Sequence, residues 1–167
     1  LSERLFRMAC VEGIFFTGCF CAIYWLTDNG LMPGLGHANE LIDRDEWMHT
    51  QFSLYMTTLI TPEHRLSREA TYGVFKAAVD IATAFTNDAI PEPMAGMNAV
   101  LMRTYIESVA DSLLACVGFA PLYGSKNPFD FVERRKMANR VDFFSRRVSD
   151  YSGAVHADTG YEIAESF

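Results

Sequence analysis

Several things are scarce in this sequence, and each scarcity removes a class of function. None of the four cysteines, Cys10, Cys19, Cys21 and Cys116, forms a Cys-x-x-Cys pair. Cys19 and Cys21 fall on different sides of a helix, so free thiols in a reducing cytosol are expected. Basic residues are outnumbered, 14 Lys and Arg against 21 Asp and Glu, for a net charge of -7. A surface of that sign repels phosphate backbones, so nucleic acid is not expected as a partner. No basic segment is followed by a cleavage site, so no signal peptide is read. The apolar run Val11 to Leu26 is short for a membrane span and contains Glu12; it reads as a buried helix of a soluble, cytoplasmic protein with no membrane partner. No period-two alternation, internal repeat or low-complexity segment occurs.

The 167 residues, half of them hydrophobic and 13% aromatic, suffice for one domain with a substantial core. Helix punctuation is clear. Ser2 reads as an N-cap for a first helix from about Glu3 to about Asp28, closed by Asn29-Gly30. Pro33 suits the first turn of a second helix reaching about Ile60, with Pro62 as its stop. A third helix fits Ser67 to about Ala89, carrying Val74, Ala78, Ile81 and Phe85. A fourth fits Asn98 to Cys116, capped by Gly118, and Asn127-Pro128 opens a shorter helical stretch ending around Ser149. From Tyr151 onward the chain has small residues and no amphipathic period, which reads as a flexible tail. The fold class is therefore all-α: an antiparallel bundle over residues 1–149 and a tail over 150–167.

Three residues stand out chemically. Glu46 and His49 are spaced i, i+3, so a carboxylate and an imidazole share one helix face and can share a metal. Alone, the pair reads equally well as a solvated face. Glu12 is more telling, because it sits in the apolar stretch Ala9 to Phe16. A carboxylate there is costly unless paired, hydrogen-bonded or metal-bound. Glu12 lies ~24 Å before the end of the first helix, and Glu46 ~20 Å beyond Pro33, at 1.5 Å per residue. Antiparallel packing brings them to similar height. Ferritin-like dimetal proteins draw one carboxylate from each of two helices and Glu-x-x-His from each of two others. This sequence offers one helix of each kind and no second motif, since Gly34, Thr61 and Gly153 precede His37, His64 and His156 by three. Asp45 could fix a histidine tautomer by hydrogen bond, or be an ordinary surface charge. Phe16 and Phe20, at i+4 and i+8 from Glu12, and Ile42, four before Glu46, could wall a dry pocket or simply pack in the core.

Taken together, Val11 to Gly18, Gly30 to Leu35, Asn39 to His49, Gly96 to Asn98, Tyr105 to Asp111 and Asn127 to Phe131 closely resemble, in order, the small subunit of class I ribonucleotide reductase. That resemblance covers nearly the whole chain and implies a ferritin-like homodimer with a dinuclear metal centre: iron, with manganese or an iron–manganese pair as alternatives. It implies that Glu12, Glu46 and His49 are ligands of one metal half-set and that Asp45 lies on the radical route. Phe16, Phe20 and Ile42 would protect a radical. Tyr151 would relay it between subunits, and Tyr161, Ile163 and Phe167 would dock on the large subunit. With three of the six ligands present, a separate N-terminal half is expected to complete the site. A degenerate scaffold subunit and another ferritin-like dimetal oxidase are the alternatives.

Overall fold

The computed structural model describes residues 1–134. The domain boundary at residue 149, Tyr151 and the tail residues Tyr161, Ile163 and Phe167 lie outside the described residues. Within them the chain is helical, with no strand. The helices are α1 (Ser2–Cys10), α2 (Thr17–Asp28), α3 (Pro33–Thr58), α4 (Arg68–Ala89) and α5 (Ala99–Cys116). A π turn, Val11–Phe15, joins α1 to α2, and a 3-10 turn, Pro62–His64, leads into α4.

The punctuation acts as the residue types dictate. Asn29 caps α2, and Gly30 follows at φ 75, where a side chain would be strained. Pro33 opens α3. The Ser67 hydroxyl accepts from Ala70 N–H at 3.2 Å, and the Asn98 amide oxygen accepts from Leu101 N–H at 3.0 Å. Both satisfy N–H groups that a helix start leaves orphaned. Ser2 corrects the reading of the first helix. Leu1 is its N-cap, while Ser2 lies inside α1, buried, its hydroxyl accepting from Leu66 N–H at 3.1 Å. The side chain thus ties α1 to the segment before α4. The second helix ends at Thr58, not Ile60, because the chain turns before Pro62.

Residues rising along α1–α2 meet residues falling along α3. Glu12 meets Glu46 and His49, the Asn39 amide donates to Phe20 O, and Thr27 lies against Gly36. The two are therefore antiparallel. The core gathers Phe6, Ala9, Ile14 and Cys21 with Phe75, Val79 and Ala82 of α4 and Met102, Ile106, Leu113 and Leu114 of α5. Each fully buried large aliphatic or aromatic side chain contributes about 1.5–3 kcal/mol of transfer free energy. The face of α4 differs from the stripe its sequence suggested. Phe75, Ala78, Val79, Ala82 and Thr86 are buried, whereas Ile81 and Phe85 are exposed. Ser2–Asp28 is long and apolar enough to cross a membrane by length and composition, yet Phe6, Ala9, Cys10, Ile14 and Cys21 pack into the bundle core. All four cysteines are free; Cys10 and Cys21 are buried, Cys19 and Cys116 exposed. Burial pushes the Cys10 thiol up to about 12.

A second polar device anchors the C-terminal end of α5. Asp111 is buried and accepts four backbone N–H groups, from Leu122, Tyr123, Gly124 and Ser125, at 2.7 to 3.3 Å. Glu107, one turn earlier, accepts from the Ser125 hydroxyl at 2.8 Å and pairs with Arg103 at 2.9 Å. The two carboxylates pin the loop after α5 against the helix.

Candidate metal centre

Glu12 is set within the π turn. Such a turn inserts one extra residue into a helix and frequently marks a functional position. It also rotates everything downstream by about 100° relative to an unbroken helix. Gly13 explains why the turn can form against two neighbours. A Cβ at this position would lie 2.8 Å from Leu113 Cδ1 on α5 and 2.9 Å from Thr50 Cγ2 on α3. Only glycine lets both helices come this close beside the carboxylate. The Thr17 hydroxyl donates back to Gly13 O at 2.9 Å, occupying a carbonyl at the disturbed turn. On α3, the buried Thr50 donates to Glu46 O at 2.8 Å.

Glu12, Glu46 and His49 converge, with one ligand atom from each within 4.8 Å of the others. His49 Nδ1 lies 3.1 Å from Glu46 Oε2 and 4.0 Å from Glu12 Oε2. The Glu12 and Glu46 side chains keep 13% and 21% of their surface exposed, while His49 keeps 57%. The ligand set is thus sunk on the α1–α2 side and open on the other. Electrostatics follow from the crowding. A hydrogen bond with Glu46, helped by burial and the charge of Glu46, raises the pKa of Glu12. Hydrogen bonds from Glu12 and His49 hold Glu46 below the usual carboxylate range. The Glu46 carboxylate in turn raises His49. Two carboxylates forced together share a proton, and a divalent cation would relieve that repulsion. Carboxylate oxygen with imidazole nitrogen suits iron or manganese, and three protein donors leave coordination positions for further ligands.

The remaining expected site residues are arranged around this cluster with mixed results. Asp45 pairs with its neighbour Arg44 at 3.7 Å and adds only through-space charge to His49; the carboxylate in hydrogen-bond contact with the histidine is that of Glu46. Phe16 and Phe20 are in ring contact, centroids 6.1 Å apart. Phe16 and Ile42 are 41% and 50% exposed, so a dry pocket here needs another element laid over it. The unbroken helical face that grouped Glu12, Phe16 and Phe20 is interrupted by the π turn. That turn, Gly13 and Thr50 were missed by sequence reasoning. The available signal was a glycine next to a carboxylate in an otherwise apolar helix. Around the open side, α3 exposes Trp47, Met48, Phe52 and Tyr55, with Phe52 65% exposed.

Known proteins share this sequence and fold. A family model described as "Ribonucleotide reductase, small chain" matches residues 1–128. Curated relatives include the ribonucleoside-diphosphate reductase small chain of Nicotiana tabacum, 46% identical over 92% of this chain and 46% of its own length. The small chain of Neurospora crassa is 42% identical over 99% of this chain and 41% of its own. Among solved structures, the ribonucleotide reductase Rnr4 homodimer from Saccharomyces cerevisiae aligns with a TM-score of 0.72 and 34% identity, covering 83% of this chain and 44% of that one. The chain spans about half the length of the curated relatives it matches.

Proposed function

The chain belongs to the ribonucleotide reductase small chain family, and from that premise we propose that it supplies half of a dinuclear metal site whose oxidant drives reduction of ribonucleoside diphosphates to deoxyribonucleotides. The observation that carries this reading is the convergence of Glu12, Glu46 and His49. Glu12 and the Glu46–His49 pair hold one half of the centre, most naturally as iron. Helices outside these 167 residues, corresponding to an N-terminal half, bring the other carboxylates and the second Glu-x-x-His. In this reading the chain itself is the C-terminal half. When bound, such a centre supplies one-electron oxidation. The chain's own part is to hold two carboxylates and an imidazole at fixed separation, which the π turn, Gly13 and the Thr50–Glu46 bond support.

The exposed apolar surface around the cluster supports the need for a covering element, since apolar patches of this kind mark interaction sites. Once covered, Phe16, Phe20 and Ile42 would keep water from the oxidant. Asp45 would act on the radical route and Tyr151 as relay between subunits. The segment with Tyr161, Ile163 and Phe167 would dock reversibly on the large subunit, each apolar side chain filling a pocket at about 1.5–3 kcal/mol less the cost of ordering. A homodimeric bundle is the expected assembly. The test is reconstitution with the complementary half and the large subunit. Metal-dependent ribonucleotide reduction should appear and be lost in Glu46→Ala and His49→Ala. An assembly that keeps its shape without binding metal would establish a scaffold subunit instead.

A further inference from the structure

Thr50 touches the backbone of both segments that carry the candidate ligands. It is fully buried on α3, next to His49 and one turn after Glu46. Its hydroxyl donates to Glu46 O at 2.8 Å. Its outer atoms also lie against Gly13, the residue after Glu12. A Cβ at Gly13 would stand 2.9 Å from Thr50 Cγ2 and 3.1 Å from Thr50 Oγ1. The fully buried Leu113 of α5 would stand 2.8 Å from the same point. The Glu12 turn therefore rests directly on the Thr50 side chain, with no room for either to shift inward.

A threonine in a helix divides between two side-chain rotamers, because its hydroxyl can bond a carbonyl one turn back. Here that bond is made, so the rotamer is set, and with it the direction of the methyl. The bond is weak as a contribution to helix stability. Its effect is to aim the methyl at the π turn. Ligands hold a metal well only when supporting residues fix them to within about 0.5 Å. We infer that Thr50 is a positioning residue for the metal site: its hydroxyl, anchored on Glu46 O, sets its methyl as the stop against which the Glu12 turn rests, so that Glu12 and Glu46 keep one spacing. The inference rests on the dimetal reading above and adds the side chain that sets the separation of the two ligand segments. The two ends of that side chain have separate tasks. Serine would keep the bond and lose the stop, whereas valine would keep a methyl and lose the bond.

The test uses the full 167-residue protein, first alone and then joined to the complementary half. In the chain alone, amide hydrogen exchange read by nuclear magnetic resonance reports on the π turn without any metal. The amides of Val11–Phe15 should exchange severalfold faster in Thr50→Ser, while those of Val79 and Ile106 keep the parent rates. Unchanged exchange at the turn, or a uniform change at all these positions, overturns the proposal. In the complex, cobalt(II) is the probe, because its visible absorption reports ligand geometry. Thr50→Ser should bind it about tenfold more weakly, the scale of losing a group that orients a ligand, with a shifted spectrum. Thr50→Val should also shift the spectrum. Gly13→Ala returns a methyl from the opposite side, so it should cost less cobalt affinity in Thr50→Ser than in the parent. Circular dichroism checks that each variant stays helical. An unchanged spectrum in folded Thr50→Ser, or an equal cost of Gly13→Ala in both backgrounds, overturns the positioning role. A parent complex that takes up no cobalt refutes the dimetal reading instead, and the exchange rates then decide by themselves whether Thr50 is the stop for the Glu12 turn.

Discussion

The end of the bundle built by α5 and its following loop contrasts with the outer face of α3. At the first, every charged group that is buried has its partners: Asp111 gathers four backbone N–H groups, and Glu107 takes Ser125 and Arg103. Ile106, Leu113 and Leu114 are fully enclosed beside them. On α3, Glu46 and His49 stand at the edge of a surface that leaves Phe52 and Tyr55 bare. Both regions hold carboxylates in apolar surroundings. One uses them to finish the fold, and in the function proposed above the other holds them for a metal beneath a covering element. A carboxylate whose acceptor capacity is met by backbone is structural, whereas carboxylates that meet mainly each other and an imidazole are candidates to hold a metal.

The contrast can be broken first at its structural end. Asp111→Ala strands four backbone donors and should cost about 3 kcal/mol or more, lowering the melting temperature on the order of 10 °C. Asp111→Asn, which keeps part of the acceptor capacity, should lose less. A melting curve for Asp111→Ala matching the parent would remove the distinction between the two regions. Next, Gly13→Ala forces a methyl into Leu113 and Thr50. Overpacking of this kind costs about 1–3 kcal/mol, and because Glu12 is adjacent, metal affinity should fall too. Gly73→Ala is the matching control. A Cβ there meets nothing within 4 Å, so it should be neutral or stabilising by up to about 1 kcal/mol.

Acid should act on the site next. Without metal, Glu12 and His49 hold their protons to higher pH than ordinary carboxylates and imidazoles do. A metal must displace those protons, so affinity should rise with pH until both groups are deprotonated and then level off. On the acid side the loss should be about tenfold per pH unit for each proton displaced. Titration calorimetry of the reconstituted site at several pH values reads this directly, and a flat profile would show that neither group is a ligand. The smallest effect belongs to the bare stripe of α3. Phe52→Glu should shift stability of the chain alone by no more than about 0.5 kcal/mol, while weakening association with the complementary half. If instead it destabilises the isolated chain strongly, Phe52 is buried by this chain itself.

Much of this was legible in the sequence because its signals are local. Gly30, Pro33, Ser67 and Asn98 act where they stand, and counting helix rise from Asp28 and Pro33 sufficed to put Glu12 beside Glu46. What escaped depends on contacts between distant segments. The π turn leaves composition untouched and changes only phase. Ser2 reads as a cap until Leu66 is seen to claim its hydroxyl. Asp111 lies within the Tyr105–Asp111 stretch that carries the family resemblance, but its four donors lie in a loop whose path no periodicity describes. The Tyr24–Asp43 bond spans two helices and has no local signature. Ile81 and Phe85 read as apolar stripe members, yet the buried face of α4 runs through Phe75, Val79 and Ala82.

The most direct measurement is metal stoichiometry. If Glu12, Glu46 and His49 are half of a dinuclear site, as proposed, the chain alone should retain little iron. Joined to the proposed complementary half it should bind two irons per chain, lost in Glu46→Ala and in His49→Ala. Two tightly held irons in the chain by itself, or a full complement in the reconstituted His49→Ala protein, would contradict it.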